Sequence, residues 1–240
     1  MERRRIPRVV AIIPDGNRRS AARIGGISGI RVHQRGYANI LAITQYMFEQ
    51  GDENEHVEEL VIWTASESNL TGRSAEEVRH ICTLGKHELR ARMRSTEKVA
   101  FVMRGAWREF VNDPILDELA QHVETKTAPY VALTKRRITA LFGYDGETDV
   151  EQAAQKLHDA GIRPTKELIL QNLGTYHIGN VDLLIRTGVE GDPHDSDAFL
   201  PLQRKHTKHF QTPVCWPEFS GELVDKAFAD YASRPSREGK

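Results

Sequence analysis

The sequence predicts an α/β fold built on an open, mostly parallel sheet. Two observations lead to this prediction: short apolar runs rich in β-branched residues alternate with longer amphipathic segments, and polar runs follow several of the apolar ones. Such alternation is typical of parallel sheets covered by helices. With 240 residues, 39% of them apolar, the chain can bury one sizeable core.

The elements follow from apolar spacing and from turn residues. Residues 9–13 form a continuous apolar run ended by Pro14, as expected of a strand buried on both faces. Residues 37–50 carry apolar side chains at helical spacing up to Gly51. Further strands are predicted at 59–63, 99–103, 138–144 and 181–185, and further helices at 74–98, 113–127 and 149–160. We expect a single domain over residues 1–240, with 233–240 as a flexible tail.

Composition excludes several classes of function. Lys and Arg total 33 against 34 Asp and Glu, so no overall positive charge attracts the protein to nucleic acid. Cys82 and Cys215 lie far apart, and no Cys and His spacing fits a structural zinc site, which favours a reducing cytoplasm. The first apolar run is too short to cross a membrane. We therefore expect a cytoplasmic enzyme without stable membrane insertion.

Two polar runs are the candidate sites for anion chemistry. Residues 14–19 place Asp15, Gly16, Asn17, Arg18 and Arg19 after the first strand. An Asp-Gly-Asn string alone is typical of a turn, but here the glycine lets amides approach an anion, the arginines can bind phosphate oxygens, and Asp15 can hold Mg²⁺. Residues 186–190 follow the strand at 181–185, so Arg186 either joins this cluster or is a solvated side chain in a turn.

Several motifs together resemble one family, the cis-prenyltransferases typified by undecaprenyl diphosphate synthase. The first polar run is similar to that family's Asp-Gly-Asn-x-Arg-Trp-Ala signature, and residues 31–36 contain its His-x-x-Gly in His33 and Gly36. Residues 66–69 resemble its Ser-x-Glu-Asn, with Arg73 a little beyond. Segments 143–146, 182–190, 199–203 and 216–219 continue the family order, so that the resemblance covers residues 8 to 232.

The resemblance implies a homodimer with a six-stranded parallel sheet and a hydrophobic tunnel walled by the helices at 37–50 and 74–98. It implies that Asp15 organises Mg²⁺ and the diphosphate of an allylic substrate, and that Asn69 lies beside the reacting centre with Asn17 as a further catalytic residue. Loss of diphosphate leaves a carbocation, and positive donors stabilise the departing charge. The residues expected to bind substrate are Gly16, Arg18, Arg19, Arg31, His33, Ser66, Arg73, Arg186 and Lys208.

The sequence departs from the family pattern at the second substrate site, so we expect a divergent member. Ser20 replaces the Trp of the signature, and residues 191–198 replace an Arg-x-Ser-Asn clamp for isopentenyl diphosphate with an acidic stretch that repels a diphosphate. A metal-binding Glu of the family falls on Lys208, which either supplies positive charge in place of the cation or is solvated. A carboxy-terminal Arg-x-Gly has its counterpart only in Arg237 and Gly239.

These departures predict a prenyltransferase that joins the allylic cation to a non-standard acceptor: a second allylic diphosphate, an aromatic acceptor or an internal double bond. The alternatives are conventional elongation with isopentenyl diphosphate and, from another class, a non-catalytic subunit of a heteromeric prenyltransferase. Any enzyme of this kind must also take up a proton. The candidates for that task are His194, Asp195, Asp197, His206 and His209.

Overall fold

The computed structural model describes residues 5–28, 30–51, 56–191 and 198–235. Within these ranges the strands are β1 (Val9–Ile13), β2 (Glu59–Ser66), β3 (Ala100–Arg104), β4 (Arg137–Tyr144), β5 (Leu183–Arg186) and β6 (Lys208–Gln211). The helices are α1 (Asn17–Ile24), α2 (Arg31–Phe48), α3 (Glu67–Gly72), α4 (Ala75–Arg94), α5 (Trp107–Phe110), α6 (Pro114–Thr127), α7 (Tyr130–Thr134), α8 (Gly146–Asp159), α9 (Lys166–Asn172) and α10 (Gly221–Ser233).

The six strands form one parallel sheet in the order β3-β4-β2-β1-β5-β6. The order reverses direction around β1, which pairs with β2 on one side and with β5 on the other. Ligands of open parallel sheets bind at such a reversal, beside the carboxyl ends of the strands. The polar runs after Ile13 and Arg186 therefore begin next to each other.

The alternation of side chains along β1 divides the core into two layers. Val10 and Ile12 pack into the larger layer with residues of α2, α4, α6 and α10. Ala11 and Ile13 pack into a smaller layer on the opposite face. Because successive side chains of a strand point to opposite faces, one apolar run fills both layers. The strand at 9–13 was predicted for this reason.

Several element ends differ from the predictions. Helix α2 begins at Arg31, six residues before the predicted start, and α4 ends at Arg94 instead of 98. Strand β5 begins at Leu183, and β2 continues to Ser66 with an irregular register after Trp63. At α2 and α4 the apolar pattern does not show these ends because the residues there are mostly polar. Among the described residues, no helix combines the length and hydropathy that a membrane crossing requires.

Candidate active site

The site is built around Asp15, two residues beyond the end of β1. Its Oδ1 accepts a hydrogen bond from the Gly16 amide at 2.5 Å, and its Oδ2 forms an ion pair with Arg19 at 2.9 Å. The side chain is 49% exposed. The carboxylate is therefore held in place from two sides while part of it still faces solvent.

Gly16 begins helix α1 in a conformation that favours glycine. Its φ is +102°, and a Cβ at this position would lie 2.7 Å from the Sγ of the buried Cys215. Helix α1 then starts at Asn17, so the predicted turn is the first turn of a helix. The amides at a helix start have no partner within the helix and carry partial positive charge. They can receive an anion.

The polar run after β5 packs against the run after β1. The hydroxyl of Thr187 donates to the Asp15 carbonyl at 2.9 Å, and Arg19 donates to the Gly188 carbonyl at 2.5 Å. Arg19 also lies 3.8 Å from the Glu190 carboxylate. The second run thus positions Arg19. Arg186 is buried at the end of β5, paired in register with Ile13, and is not among the described residues that line the cavity.

Asn17 lies against Gly36 of helix α2. A Cβ at Gly36 would be only 2.1 Å from the Asn17 Oδ1, which is buried and receives no hydrogen bond from a described residue. The Gly36 carbonyl accepts from the indole nitrogen of Trp216 at 2.8 Å. The glycine of the His-x-x-Gly segment therefore makes room for Asn17, a contact that sequence spacing does not reveal.

His33 and Arg73 form the opposite side of the mouth, and both are bound by Glu77. The His33 Nε2 lies 3.1 Å from Glu77 Oε1, and Arg73 donates to the same oxygen at 2.8 Å. Burial, as the largest cause, lowers the pKa of His33 despite this hydrogen bond. A neutral imidazole is therefore favoured near pH 7. Sequence reasoning assigned Glu77 only to a helix start, although it joins two predicted site residues.

Ser66 ends β2 and precedes the short helix α3, to which Asn69 belongs. The Ser66 hydroxyl accepts from the Asn69 amide at 3.1 Å and lies 2.8 Å from the Ser68 hydroxyl. Ser66 therefore caps α3 and fixes the position of Asn69. Both residues line the cavity.

An apolar cavity continues from this polar mouth, and the two together have a volume of about 660 Å³. It runs between α2, α4 and the large-layer face of the sheet, where the hydrophobic tunnel was predicted. The predicted site residues that line it are Asp15, Gly16, Asn17, Arg18, Arg19, His33, Ser66, Asn69 and Arg73. Its apolar wall includes Ile40, Ile62, Ile81, Leu84, Leu89, Phe101, Met103, Leu116, Ile138 and Phe142.

Ser20, which replaces the Trp of the family signature, is buried behind the mouth. Its hydroxyl donates to Glu218, and Arg35 donates to the same hydroxyl at 3.2 Å. Arg35 also pairs with Glu218 at 3.5 Å. A polar network therefore occupies the position of the family's Trp.

Other predicted residues lie away from the cavity. Lys208 begins β6 at the amino end of the sheet, where it donates to the carbonyls of Tyr231 and Arg234 at 3.1 and 2.6 Å. Arg31 is exposed at the start of α2. His206 and His209 lie next to Lys208 in the chain and are not among the described residues of the cavity wall. His194, Asp195, Asp197, Arg237 and Gly239 fall outside the described residues.

The possible metal ligands at the mouth fit a magnesium ion that is also bound by the substrate. Among the described residues, no three His, Cys, Asp or Glu side chains are grouped to hold a metal ion. Asp15 offers one partly exposed carboxylate. Mg²⁺ is commonly bound by one or two carboxylates with water and substrate phosphates completing its octahedron. A single carboxylate beside an anion site is compatible with that arrangement.

Sequence comparisons identify relatives along nearly the whole chain. A family model described as undecaprenyl diphosphate synthase matches residues 13–239. A ditrans,polycis-undecaprenyl-diphosphate synthase specific for (2E,6E)-farnesyl diphosphate, from Pseudomonas putida, is 31% identical over 98% of this chain and 91% of its own length. An isoprenyl transferase from Nitrosomonas europaea is 30% identical over 98% of this chain and 86% of its own length. Matches of this extent do not bear out the expectation of a divergent member.

Solved structures share the fold. Lavandulyl diphosphate synthase from Lavandula x intermedia, in complex with dimethylallyl diphosphate, matches with a TM-score of 0.80 and 25% identity, covering 96% of this chain and 97% of that one. A protein described as a probable undecaprenyl diphosphate synthase from Campylobacter jejuni matches with a TM-score of 0.74 and 18% identity, covering 98% and 99%. The predicted six-stranded α/β fold is confirmed.

Proposed function

This chain belongs to the undecaprenyl diphosphate synthase family and is a prenyl-transferring enzyme, and from that premise we propose that it ionises an allylic diphosphate at the Asp15 mouth with the help of Mg²⁺. One observation carries the proposal: a mouth of groups that can bind an anion opens directly into an apolar cavity, and the two together measure about 660 Å³. An allylic diphosphate has the same two parts, a charged head and a hydrocarbon tail. The volume lies within the usual range for small-ligand sites, roughly 300–1,000 Å³, which favours a short tail.

The residues of the mouth have distinct tasks in this proposal. The amides that begin α1 and the guanidiniums of Arg19 and Arg73 receive the diphosphate oxygens. His33 lies in the same mouth with its Nε2–H directed to Glu77, and Asn69 lies beside the allylic carbon. These donors stabilise the negative charge that develops as the carbon–oxygen bond breaks. They are held by Glu77, Ser66 and the run after β5, so little reorganisation is needed at the moment of reaction.

Asp15 would hold the magnesium ion. When bound, the ion neutralises charge on the leaving diphosphate. Arg19 keeps the Asp15 carboxylate in place through the 2.9 Å ion pair. We expect the remaining ligands to be diphosphate oxygens and water.

For the acceptor, our first candidate is a second allylic diphosphate or another non-standard acceptor. Residues 191–198 carry aspartates where the family has its isopentenyl diphosphate clamp, and Lys208 is held at the other end of the sheet by backbone carbonyls. A likeness at 25% identity to a synthase named for lavandulyl diphosphate, bound to dimethylallyl diphosphate, supports this choice.

The second candidate is conventional chain elongation with isopentenyl diphosphate. It is favoured by the names of the curated relatives, several of which are undecaprenyl diphosphate synthases at 29–31% identity over nearly the full chain. The two candidates share the donor half of the site and differ only in what attacks the cation.

We also propose a homodimer, which light scattering coupled to size-exclusion chromatography would test.

Product analysis separates the two acceptors. Dimethylallyl, geranyl or farnesyl diphosphate is incubated with Mg²⁺, each with and without isopentenyl diphosphate. Products that form without isopentenyl diphosphate support the first candidate. Products that require it and grow by five-carbon units overturn the first candidate and support the second.

An Asp15→Asn variant tests the shared donor half. The amide keeps an acceptor for the Gly16 amide but loses the charge that binds Mg²⁺, so we expect prenyl transfer to fall by about 100-fold or more. The matched control is Asp159→Asn, an exposed aspartate at the end of α8, which should retain full activity. An Asp15→Asn protein with full activity would contradict the proposed role of Asp15.

A further inference from the structure

A polar group interrupts the apolar wall of the cavity. Tyr37 of α2 and Glu88 of α4 line it among the aliphatic and aromatic side chains below the mouth. Neither residue belongs to the segments after β1 and β2 that form the polar mouth. A carboxylate in such surroundings is costly unless it is paired, so its presence requires an explanation.

The carboxylate of Glu88 is held from two sides. Its Oε1 accepts from Arg92 Nε at 2.7 Å, and the two side chains are 13% and 9% exposed. Its Oε2 is shut off from solvent, and the Tyr37 hydroxyl is the hydrogen-bonding group that faces the carboxylate from α2. The Arg92 guanidinium also lies 5.9 Å from the centre of the Phe101 ring, and Phe101 lines the cavity. A charged pair thus lies directly beneath an apolar lining.

Tyr37 completes the group from the opposite wall. Burial first, and then the adjacent Glu88 carboxylate, raises the pKa of the Tyr37 phenol. The phenol therefore stays protonated and keeps a polar hydroxyl beside Glu88. We call Tyr37, Glu88 and Arg92 the polar floor.

The depth of the polar floor follows from helix geometry. Glu77 contacts His33 at the mouth, and Glu88 follows it by eleven residues on the same helix. At 1.5 Å per residue, the two Cα atoms lie about 16 Å apart along α4. An isoprenyl unit adds four chain bonds of about 1.5 Å, on the order of 5 Å when extended. Glu88 is therefore reached after about three units.

We propose that the polar floor limits the length of the prenyl chain that the cavity accepts. This inference rests on the proposed function, since it concerns the tail of the same allylic substrate. A chain that ends above Glu88 lies mainly against apolar side chains. A longer chain must press hydrocarbon against the Tyr37 hydroxyl and the Glu88 carboxylate, and such contact is unfavourable. The polarity of the polar floor, as well as the cavity volume, would then limit the length of the prenyl chain.

Two substitutions that conserve volume test the polarity. Glu88→Met replaces the carboxylate with an apolar chain of similar size, while Arg92 keeps its contact with Glu97 at 3.5 Å. Tyr37→Phe removes only the hydroxyl and leaves the ion pair intact. The matched controls are Glu118→Met and Tyr176→Phe. Glu118 is exposed on α6, and Tyr176 is 51% exposed. Thermal melting first establishes that each variant is folded.

The measurement is kcat/KM for geranyl, farnesyl and geranylgeranyl diphosphate, with Mg²⁺ and whichever acceptor the protein uses. We expect the geranylgeranyl-to-geranyl ratio of kcat/KM to rise about tenfold in Glu88→Met and severalfold in Tyr37→Phe, and to stay constant in both controls. An unchanged ratio in a folded, active Glu88→Met protein would overturn the proposal. So would an equal loss with all three donors, because it would assign Glu88 to the reaction or to folding.

The test also separates this inference from the proposed function. If the unmodified protein transfers no prenyl group from any allylic diphosphate, the proposed function itself fails. If transfer occurs and depends on Asp15, but donor length preference ignores Glu88 and Tyr37, the proposed function stands and the polar floor is wrong.

Discussion

Asn17 and Gly36 show how closely side chains pack at the mouth. The buried Oδ1 of Asn17 occupies space that any larger residue at position 36 would claim. Asn17 in turn opens the helix whose first amides face the diphosphate in our proposal. The contact between two helices therefore determines where a predicted catalytic residue lies.

A Gly36→Ala substitution tests this contact. The new Cβ would lie 2.1 Å from the Asn17 Oδ1, so Asn17 must move. We expect kcat/KM for the allylic donor to fall by roughly 10- to 100-fold, because displacement of about 1 Å costs this much in a positioned site. The melting temperature should fall little, since alanine in a helix gains up to about 1 kcal/mol over glycine.

The control for this substitution is Gly72→Ala at the end of α3. A Cβ there would meet no atom within 4 Å, although the residue lies close to the mouth in the chain. Its activity should remain within twofold of the unmodified protein. Full activity in Gly36→Ala would show that Asn17 adapts and that its position is not critical.

At the level of single residues, the sequence predicted several residues that line the cavity, but not the residues that hold them in place. Asp15 and Arg19 were recognised because their chemistry is visible in the residue types. Glu77, Gly36 and Glu88 were not, since a carboxylate on a helix or a glycine in a motif is meaningful only through its neighbours in space. Lys208 was placed by counting from two motifs, and counting carries no information on which end of a strand a side chain occupies.

Helix α4 links the mouth to the polar floor, so its start affects both. The Ser74 hydroxyl accepts from the Glu77 amide at 3.2 Å and caps the helix. Glu77 holds both His33 and Arg73. This helix start was predicted from the sequence because the capping pattern lies within four consecutive residues.

Ser74→Ala should lower the free energy of unfolding by about 1 kcal/mol, the usual effect of losing such a cap. Urea denaturation followed by circular dichroism measures the change in midpoint. The control is Ser233→Ala at the other end of the chain, where the hydroxyl donates to the Asp230 carbonyl without capping a helix start. Equal stability of both variants would mean that packing, not the cap, fixes the first turn of α4.

At the level of elements, β-branched runs identified most of the strands, whereas β6 and α1 were not predicted. Strand β6 has only four residues, all partly buried, and shows no alternation. Its pairing with β5 comes from the fold and not from its own composition. Helix α1 begins with Asn and two arginines, which resemble a turn until Gly16 adopts positive φ and directs the chain into a helix.

Across the whole molecule, the two ends of the sheet hold different polar groups. The carboxyl end holds the mouth that we propose binds the diphosphate, whereas a buried network lies toward the amino end around Glu59. Its carboxylate pairs with Arg137 at 2.5 Å and accepts from Thr139 at 2.5 Å, and Thr139 lies 3.0 Å from the His177 ring. The network holds β2 against β4 at the end remote from catalysis.

The two titrating groups of this network respond to acid in opposite directions. Burial, more than its charged neighbours, raises the pKa of Glu59 to about 7, so its contribution to stability is present at low pH and is lost as pH rises through 7. Burial, followed by the charges of Arg137 and Arg104, lowers the pKa of His177 to about 3. Its contribution is present above pH 6.5 and is lost as pH falls, because the unfolded chain then binds the proton.

His177→Gln should therefore remove the contribution to stability that is lost in acid. The contribution of Glu59 should remain. Between pH 7 and pH 5, we expect the unfolding free energy of the variant to rise by about 1–2 kcal/mol relative to the unmodified protein. Urea titrations at a series of pH values measure this difference.

His122→Gln, at an exposed position of α6, is the control and should follow the unmodified curve. A constant difference between His177→Gln and the unmodified protein at all pH values would show that His177 titrates normally in the folded state. Activity at pH 7 should be unchanged in the variant, because this network and the mouth lie at opposite ends of the sheet.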